Sequence, residues 1–491
     1  MKFTKNRNGL AVLLSIIIFG IVFIISRASF LYILDKNVGD LYFTFSDIPV
    51  NKDIVIVEID EDTLSGRKNS IGDITLEGLG RFPFDRKYYG TVIDNLNNAG
   101  AAVIALDIIL GEKSNDKSDD ILSESIKNAG NVIMGLWTDS AGYIQSPYEK
   151  FGKHMLVSGF FAPELDKITD TVYSIEPIKQ FEGSNNIYNH FSIAIIKGFY
   201  SKIYDDEKYL NEQIISRPDK FIIANKLELI KAEKNKNEVL INYTDSHKFT
   251  KVSFLDVYLG QIDENLFKDK IIIVGPTAKG IKDVFNTPIG IEYGVYTHAN
   301  MINTILTKSG IKYFDKNIEW LMIFLLIIVS VYFNISRSSY VLLFSNVALV
   351  SLFLIGIIFI PLITSTLFNY SIEFTIALVI SLALSNIVKY LVENKNKIKL
   401  NKALSEYVSE DVAKEILSGE GKINLDGENK DVAIFFSDIE GFTSISEKFG
   451  AEELVGFLRE YLSEMSNIIM DEKGFVNKYE GDAIMALWGV F

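Results

Sequence analysis

The stretch DVAIFFSDIEGFTSISEKFG at residues 431–450, followed by GFVNKYEGDAIMALWG at residues 474–489, decides the fold of the C-terminal part of the chain. The apolar run before Asp438 predicts a buried strand, and the sequence around Gly481 predicts a tight turn between two further strands. Residues 451–470 carry apolar side chains at helical spacing. A strand, a helical segment and a hairpin form the opening half of a ferredoxin-like α+β sheet.

Asp438 and Asp482 fall at a strand end and at a hairpin turn, which adjacent strands would bring together. Paired carboxylates are hard oxygen ligands suited to Mg²⁺ or Mn²⁺. The segment 439–443 is a glycine-containing turn that runs into a helix start, where free amides can hold phosphate oxygens. The alternative for either aspartate alone is a turn or helix-cap residue, and for Lys478 a solvated lysine on a strand. If the two carboxylates meet, the sequence predicts chemistry on a nucleoside triphosphate.

The two motifs FSDIEGFTSISEKFG and KYEGDAIMALWG, taken together, resemble the class III nucleotide cyclases, the adenylate and guanylate cyclase family. The resemblance implies that Asp438 and Asp482 hold two Mg²⁺ (or Mn²⁺) ions and that the carbonyl of Ile439 is an additional ligand. It also implies that this part of the chain is the N-terminal half of a partial cyclase domain, residues 429–491.

The same resemblance implies that the amides of Phe442 and Thr443 contact the triphosphate and that Lys478 reads the purine. Adenylate cyclases of this family usually carry lysine at that position and guanylate cyclases usually carry glutamate. A lysine donates a hydrogen bond to a ring nitrogen of adenine, so ATP is the expected substrate and GTP the alternative. Family members form their sites at a head-to-tail interface, which makes a homodimer the expected assembly.

The sequence ends at Phe491, before the strands that in this family supply a second purine-reading residue and the Asn and Arg of the transition state. No catalytic residue is therefore assigned, and this chain alone is expected to be inactive. We expect a piece of a longer protein; the alternative is a short variant without catalysis.

Length, composition and net charge limit the class of protein to which this chain can belong. A chain of 491 residues is long enough for two or three domains, and a hydrophobic fraction of 48% beside 23% charged residues fits membrane spans joined to water-soluble domains. The net charge of −14 argues against nucleic-acid binding, which needs a basic face. The absence of cysteine excludes disulfides and thiolate metal sites.

The N-terminus combines basic residues with an apolar run. Lys2, Lys5 and Arg7 lie in residues 1–9, which we expect in the cytoplasm, and residues 10–34 are interpreted as an uncleaved transmembrane anchor. A secretory signal peptide is the alternative. The apolar character resumes at residues 30–34 without a clean cleavage site, which favours the anchor.

Residues 35–315 alternate strand and helix patterns, which favours an α/β domain with a largely parallel sheet, although the topology of residues 140–250 cannot be assigned. The segments IVIVEIDEDTL (54–64), GRFPFDRKYYGTVIDNLNNAGAAVIALDIIL (80–110) and DKIIIVGPTAKGIKDVFNTPIGIEYGVYTHANMINTIL (269–306) resemble CHASE2, an extracytoplasmic sensor family whose ligands are mostly undefined. Ligands of open α/β sheets bind at the carboxyl ends of strands. The polar candidates there are Asp60, Arg86, Asp107, Asp283 and His298. Helix capping and structural pairing are the alternative for them.

Residues 316–392 contain three apolar spans, at 318–331, 340–360 and 371–392. Each is near the roughly 20 residues that cross a bilayer. With the N-terminal anchor they give four transmembrane helices, and the basic flanks then fall on one side. A multi-pass plasma-membrane protein is expected, with the sensor and its unknown ligand outside and the cyclase domain in the cytoplasm. Residues 393–428 predict a helical linker, either part of a parallel dimer or packed on the catalytic domain.

These parts together predict a sensor-regulated adenylate cyclase that converts ATP to 3′,5′-cyclic AMP and pyrophosphate. The alternative from a different class is a membrane receptor that binds a ligand and signals through partners without chemistry. A diguanylate cyclase is disfavoured because no GGDEF-type turn is present.

Overall fold

A computed structural model describes residues 2–68, 74–139, 141–223, 227–336, 339–404 and 429–490. The chain divides into two compact units, Met1–Ser381 and Leu382–Phe491, and each is described by itself. Most of the helical linker expected at 393–428 falls on residues 405–428, which lie outside the described residues.

Helices and strands alternate along most of the described chain. The helices are α1 Lys2–Ile25, α2 Ser29–Phe45, α3 Glu61–Ser65, α4 Arg86–Asn98, α5 Asp116–Ala129, α6 Glu149–Gly152, α7 Phe191–Tyr204, α8 Lys208–Asn211, α9 Phe254–Tyr258, α10 Gly294–Leu306, α11 Lys316–Ser336, α12 Ser339–Thr364, α13 Ser371–Leu404, α14 Phe442–Ser446 and α15 Ala451–Asp471. The strands are β1 Ile54–Ile59, β2 Arg67–Lys68, β3 Ile74–Leu76, β4 Val103–Leu106, β5 Val132–Thr138, β6 Ile144–Gln145, β7 Val157–Phe160, β8 Glu164–Leu165, β9 Val172–Ile175, β10 Ile178–Gln180, β11 Ile187–Asn189, β12 Ile215–Ser216, β13 Lys220–Ile223, β14 Leu227–Ile230, β15 Val239–Leu240, β16 Thr250–Ser253, β17 Ile271–Pro276, β18 Val284–Thr287, β19 Gly290–Tyr293, β20 Lys312–Tyr313, β21 Thr366–Leu367, β22 Ala433–Ser437, β23 Phe475–Glu480 and β24 Ala483–Trp488.

The first unit, Met1–Ser381, which we call the sensor unit, is built on one central sheet. Its strand order is β16-β1-β17-β4-β5, with β7 beside β5, and all of these neighbours run parallel. The short strand β6 adds to β5 in the antiparallel sense. The prediction of an α/β domain with a largely parallel sheet is therefore confirmed.

Both faces of the central sheet are covered by helices. Val55, Val57 and Ile104 face one hydrophobic core, to which α4, α5 and α9 contribute, whereas Ile54 and Ile56 face a second core with α7 and α10. The strands are continuous apolar runs because a parallel sheet with helices on both faces leaves no side for water. This explains why β1, β4 and β17 are buried along nearly their whole length.

Strands β17 and β4 mark the point where the winding of the sheet reverses. They are adjacent and parallel, with Ile271 paired to Val103 and Val274 to Leu106. The next long helix after β4 is α5, which packs on one face, and the helix after β17 is α10, which packs on the other. Such a reversal opens a crevice at the carboxyl ends of the two strands.

The region that the sequence left unassigned, residues 140–250, forms small sheets beside the central one. Strands β8, β9 and β15 form a three-stranded sheet, as do β12, β13 and β14, and β10 pairs with β11. Strand β9 enters the same hydrophobic core as α7 and α10 through Val172 and Ile175. These strands have two to four residues each, too few for alternation to show in the sequence.

The apolar helices only partly match the expected four spans. Two helices, Lys316–Ile335 and Ser371–Leu400, are long and apolar enough to cross a bilayer, and they include the spans expected at 318–331 and 371–392. The anchor expected at 10–34 is bent, because Gly9–Ile25 and Ser29–Phe45 meet at 90° and count as at most one span. The span expected at 340–360 lies in α12. Within α12, as far as the described residues go, the apolar helix runs from Ala348 to Thr364 and is shorter than the two helices that could cross a bilayer.

Buried carboxylates tie the ends of these helices to one another. Glu319 at the start of α11 accepts the amides of Asn369 and Tyr370 at 3.0 Å each. Asp35 on α2 accepts the amide of Ile372 at 2.7 Å. Because an unpaired buried carboxylate is costly, these bonds fix the segment before α13 against α2 and α11.

The C-terminal unit contains an antiparallel sheet of order β22-β24-β23, with α15 packed on one face. Strand β22 crosses over through α14 and α15 to β23, with β24 inserted between the two strands. This is the split arrangement of a ferredoxin-like half-sheet. The core comprises Ile469, Val476, Ile484 and Ala486, with Leu462, Met465 and Trp488 packed against it.

The expectation that the strand before Asp438 is buried is wrong for the described residues. Strand β22 lies at the sheet edge, and Phe436 is 64% and Ile434 56% exposed. Both pair with residues of β24 on the face opposite α15, namely Met485 and Leu487. Their apolar character fits a packed face, but no described residue of this unit covers it.

We expect Gly159→Ala to destabilise the sensor unit. A Cβ at Gly159 would lie 2.7 Å from the Cα of Phe191 and 2.9 Å from the Cβ of Ala194, so α7 would have to move off β7. Overpacking of this kind costs about 1–3 kcal/mol. Thermal unfolding of the purified chain should show a lower midpoint, whereas Gly280→Ala, with open space around the added Cβ, should match the parent. Equal midpoints for Gly159→Ala and the parent would contradict this packing.

Candidate functional site

The C-terminal unit brings Asp438 and Asp482 together through strand pairing. Ser437 at the end of β22 lies opposite Ile484 near the start of β24. Asp438 follows Ser437, and Asp482 lies in the two-residue turn before Ala483. The backbone register thus sets both carboxylates at the same end of two neighbouring strands.

The two carboxylates are in contact. The pKa of Asp438 is raised, first by a hydrogen bond with Asp482 and then by the charge of that neighbour. Asp482 also accepts the amide of Ile439 through Oδ2 at 3.1 Å. Two like charges held this close in an exposed position favour either a shared proton or a bound cation.

Two glycines shape the turns that carry these carboxylates. Gly441 and Gly481 have φ of 73° and 69°, in the left-handed region that other residues rarely adopt. Gly441 ends the turn after Asp438 and precedes α14, and the amide of Phe442 donates to the carbonyl of Ile439 at 3.1 Å. The Phe442 amide could therefore hold a phosphate oxygen only as a shared donor.

A bulge in β23 determines which way Lys478 faces. Val476 pairs with Ala486 and Lys478 with Met485, so Asn477 is the extra residue. The bulge returns Tyr479 to the α15 side, where its hydroxyl lies 2.9 Å from Ser466 Oγ. Lys478 consequently projects from the opposite face, where it forms an ion pair with Glu480.

The oxygen atoms at this site fit a magnesium-like cation. They are the carboxylate oxygens of Asp438 and Asp482, which are hard ligands. The carbonyl of Ile439, the third ligand predicted from the sequence, accepts the amide of Phe442 at 3.1 Å. Among the described residues no group of three or more His, Cys, Asp or Glu side chains could hold a metal. A site of two carboxylates suits Mg²⁺, which usually binds one or two carboxylates and fills its remaining positions with water and phosphate oxygens.

The sensor unit contains a cavity of about 330 Å³ at the carboxyl ends of β4 and β17. Of the five polar residues proposed from the sequence, Asp107, Asp283 and His298 line it. The remaining lining residues are mainly apolar or aromatic: Phe82, Pro83, Ile108, Ile109, Phe161, Pro276, Ile281, Phe285 and Gly294. The cavity thus occupies the crevice that the reversal between these strands opens.

Asp107 and His298 face each other without forming an ion pair. His298 Nε2 lies 3.8 Å from Asp107 Oδ1, beyond hydrogen-bonding distance, while Nδ1 lies 3.1 Å from Ser192 Oγ. Burial raises the pKa of Asp107, with a further contribution from the charge of Asp283. Burial also lowers the pKa of His298 to about 3, so the imidazole is neutral at physiological pH.

The other two candidates have the structural roles that were the alternative. Asp60 caps α3 by accepting the amide of Thr63 at 2.8 Å and also accepts Ser253 Oγ at 3.0 Å. Arg86 pairs with buried Asp119, with Nε 3.3 Å from Oδ1, and neither residue lines the cavity.

Sequence reasoning missed Phe161 and Ser192. Phe161 follows β7 and lines the cavity, and Ser192 lies in the first turn of α7 and binds His298. Both come from the part of the chain whose topology the sequence left open. Nothing in their local sequence indicates that they approach His298, more than a hundred residues away.

Comparison with known families supports both resemblances. Residues 15–332, more than half of the chain, match the CHASE2 domain, and residues 426–491 match the adenylate and guanylate cyclase catalytic domain. The first match extends beyond the sensor boundaries expected at 35 and 315. Together with the apolar helices, it indicates a membrane protein.

Similar curated proteins align over short stretches of the chain. An adenylate cyclase of Anabaena cylindrica is 47% identical over 57 residues, 12% of this chain and 11% of the relative. The terminal-differentiation specific adenylate cyclase of Dictyostelium discoideum is 46% identical over 59 residues, 12% of this chain and 3% of the relative. The chain therefore spans about a tenth or less of the length of these relatives. No solved structure matches.

We expect Asp107→Asn to stabilise the sensor unit at mildly alkaline pH. Because its folded-state pKa is raised, the carboxyl contributes stability below its ordinary pKa of about 4, and this stability is lost as the pH rises through the folded-state pKa. Asparagine does not ionise and avoids that loss. The unfolding midpoint of the variant should exceed that of the parent at alkaline pH, and the difference should narrow towards about pH 4.

Asp269→Asn is the matched control, because Asp269 is exposed and its φ of 57° is one that asparagine also adopts. Its midpoint should follow the parent at every pH. A difference for Asp107→Asn that does not depend on pH would contradict the assignment of a raised pKa to Asp107.

Proposed function

The chain belongs to the CHASE2 domain family, and on that premise we propose that it is a membrane sensor that regulates an adenylate cyclase making 3′,5′-cyclic AMP and pyrophosphate from ATP. The observation that carries the proposal is the contact between Asp438 and Asp482 at the joined ends of β22 and β24. The relatives named adenylate cyclase support ATP rather than GTP as the substrate. Lys478 also supports ATP as the substrate, because a lysine can donate a hydrogen bond to a ring nitrogen of adenine.

In this proposal the side chains hold and orient the substrate. Two Mg²⁺ (or Mn²⁺) ions held by Asp438, Asp482 and the Ile439 carbonyl would neutralise the triphosphate and lower the pKa of the ribose 3′-hydroxyl. The Ile439 amide keeps Asp482 beside Asp438. The 3′-oxygen bonds to the α-phosphorus as the bond to pyrophosphate breaks, and the hydroxyl proton is released. Phe442 and Thr443 amides would orient the triphosphate, and Lys478 would donate to the adenine ring.

The sensor would lie outside the plasma membrane and the cyclase domain in the cytoplasm, where ATP is available. We propose four crossings, formed by the N-terminal anchor and by α11, α12 and α13. The basic residues around the N-terminus and after the last apolar span support this orientation. A homodimer would complete the site, and the exposed apolar face with Ile434 and Phe436 supports such an assembly.

We expect Asp482→Asn and Asp438→Asn to weaken divalent-metal binding and abolish cyclic AMP formation. Removing a carboxylate takes away one of the three hard ligands, so activity of the full-length protein in membranes should fall by more than about 100-fold. Mn²⁺ binding to the purified chain, followed by electron paramagnetic resonance, gives a readout that does not require turnover.

Asp431→Asn serves as the control, since Asp431 precedes the opposite end of β22 and is exposed. It should keep both metal binding and activity. Parent-like Mn²⁺ affinity in both Asp438→Asn and Asp482→Asn would overturn the metal assignment, and an absence of cyclic AMP in the parent protein would favour a receptor without chemistry.

We expect Lys478→Glu to erode the preference for ATP over GTP. The substitution replaces a donor to adenine with an acceptor, and a charge-assisted hydrogen bond is worth about 1.5–3 kcal/mol, so selectivity should fall by at least about tenfold. Product formation from ATP and GTP in parallel measures it. Lys448→Glu, an exposed reversal of charge after α14, should leave the ratio unchanged, and intact selectivity in Lys478→Glu would remove this residue from purine recognition.

A further inference from the structure

We propose that the cavity between Asp107, Asp283 and His298 binds a small organic amine, with the ammonium group between the two carboxyls and the apolar part against the phenylalanine rings. The inference rests on the sensor role proposed above and names the class of ligand that the sensor would detect. It concerns the CHASE2 unit alone and does not involve the cyclase residues.

The first argument is an unpaired carboxyl oxygen. The side chain of Asp107 is 9% exposed, and its Oδ2 has no hydrogen-bond partner in the part of the chain that the structure describes. A buried polar atom without a partner costs free energy, about 1–3 kcal/mol. The aspartate at this position therefore lowers the stability of the sensor unit, but it can accept a hydrogen bond from a ligand.

The backbone around Asp107 is arranged to keep this carboxyl in the crevice. The Asp107 amide donates to the Val274 carbonyl at 2.8 Å, which prolongs the pairing of β4 with β17. Gly275 on β17 leaves room for it, since a Cβ there would lie 3.3 Å from the Asp107 Cβ and 2.7 Å from the Val295 Cβ. The crevice is therefore narrow on the sheet side, and the carboxyl is held by the sheet itself.

The charges around the cavity select a cation. Of the described residues, those that line the cavity include the two carboxyls of Asp107 and Asp283 but no lysine or arginine. Burial keeps His298 neutral, so it cannot attract an anion. An ammonium group that donates to Asp107 Oδ2 would lower the raised pKa of this carboxyl and so favour its ionised form, whereas a carboxylate or phosphate ligand would raise that pKa further.

The cavity walls favour an organic cation over a metal ion. The walls include Phe82, Phe161 and Phe285. Aromatic faces attract ammonium groups and pack against an apolar body. The volume of about 330 Å³ is at the lower end for small-molecule sites, which limits the ligand to a small amine.

Three amines, 2-phenylethylamine, hexylamine and 1,6-diaminohexane, test the proposal by isothermal titration calorimetry on the purified full chain. We expect at least one to bind, and its neutral counterpart, 2-phenylethanol, hexanol or 1,6-hexanediol, to bind at least about tenfold more weakly, because the charge-assisted hydrogen bond is lost. Failure of all three amines to bind up to millimolar concentrations, or equal affinity for amine and alcohol, would overturn the proposal.

Two substitutions locate the binding. Asp107→Asn should weaken amine binding by about tenfold or more while raising the unfolding midpoint at alkaline pH, so that lost affinity cannot be attributed to misfolding. Asp269→Asn should bind as the parent does. Parent-like affinity in Asp107→Asn would overturn the site.

One further variant separates this proposal from that of the cyclase. Asp438→Asn should lose metal binding but keep parent-like amine affinity, since it alters the C-terminal unit only. In the full-length protein, amine binding without cyclic AMP formation would support the sensor site and reject the cyclase proposal, whereas cyclic AMP formation without amine binding would reject the amine site alone.

Discussion

The parallel pairing of β4 with β17 is the constraint on which the sensor unit depends. Hydrogen bonds between these strands set Asp107 beside Gly275, and the helices that follow them leave to opposite faces of the sheet. The backbone must therefore diverge at this point, and a crevice remains that side chains alone must fill. Both hydrophobic cores, and the position of His298 on α10, follow from the same divergence.

Strand pairing also positions carboxyls in the C-terminal unit, but there the carboxyls are exposed to water rather than buried. The β22–β24 register holds Asp438 against Asp482 in an exposed position, where water and cations have access. In the sensor, Asp107 is buried, and its carboxyl is driven towards the neutral form. Paired carboxyls thus occur in both units, but the first cause of the raised pKa differs: it is burial for Asp107 and the hydrogen bond with Asp482 for Asp438.

The sequence predicted those features that depend on local pattern. The alternation of strand and helix patterns predicted the largely parallel sheet, and the motifs around Asp438 and Asp482 predicted that the two carboxylates meet. The separation of Asp107, Asp283 and His298 from Asp60 and Arg86 was not predictable, because all five are polar residues near strand ends or in loops. Only the three-dimensional course of α10 and of the loop after β17 decides which of them share a cavity.

Two predictions, a continuous N-terminal anchor and a buried strand β22, differ from the structure, and each difference has a physical reason. The N-terminal helices meet at 90° across Ser26–Ala28, where Arg27 interrupts the apolar run. Because the apolar character resumes at residues 30–34, the sequence was interpreted as one continuous anchor, although a short polar interruption is also where a helix can end and the chain change direction. Strand β22 was expected to be buried because Ile434 and Phe436 are apolar, yet burial depends on what covers a face and not on the strand itself.

The bulge at Asn477 has a consequence for how this hairpin tolerates evolutionary change. Strand side chains alternate with a strict period of two, and the extra residue is what restores Tyr479 to the helix while leaving Lys478 on the other side. Point replacements at Asn477 preserve that parity. Deletion of Asn477 would also preserve it, because it removes the extra residue and leaves Lys478 opposite Met485 and Tyr479 opposite Ile484. A residue inserted between Lys478 and Gly481 would instead exchange the two faces for the residues on one side of the insertion. The hairpin therefore tolerates loss of the bulge better than a further gain in length.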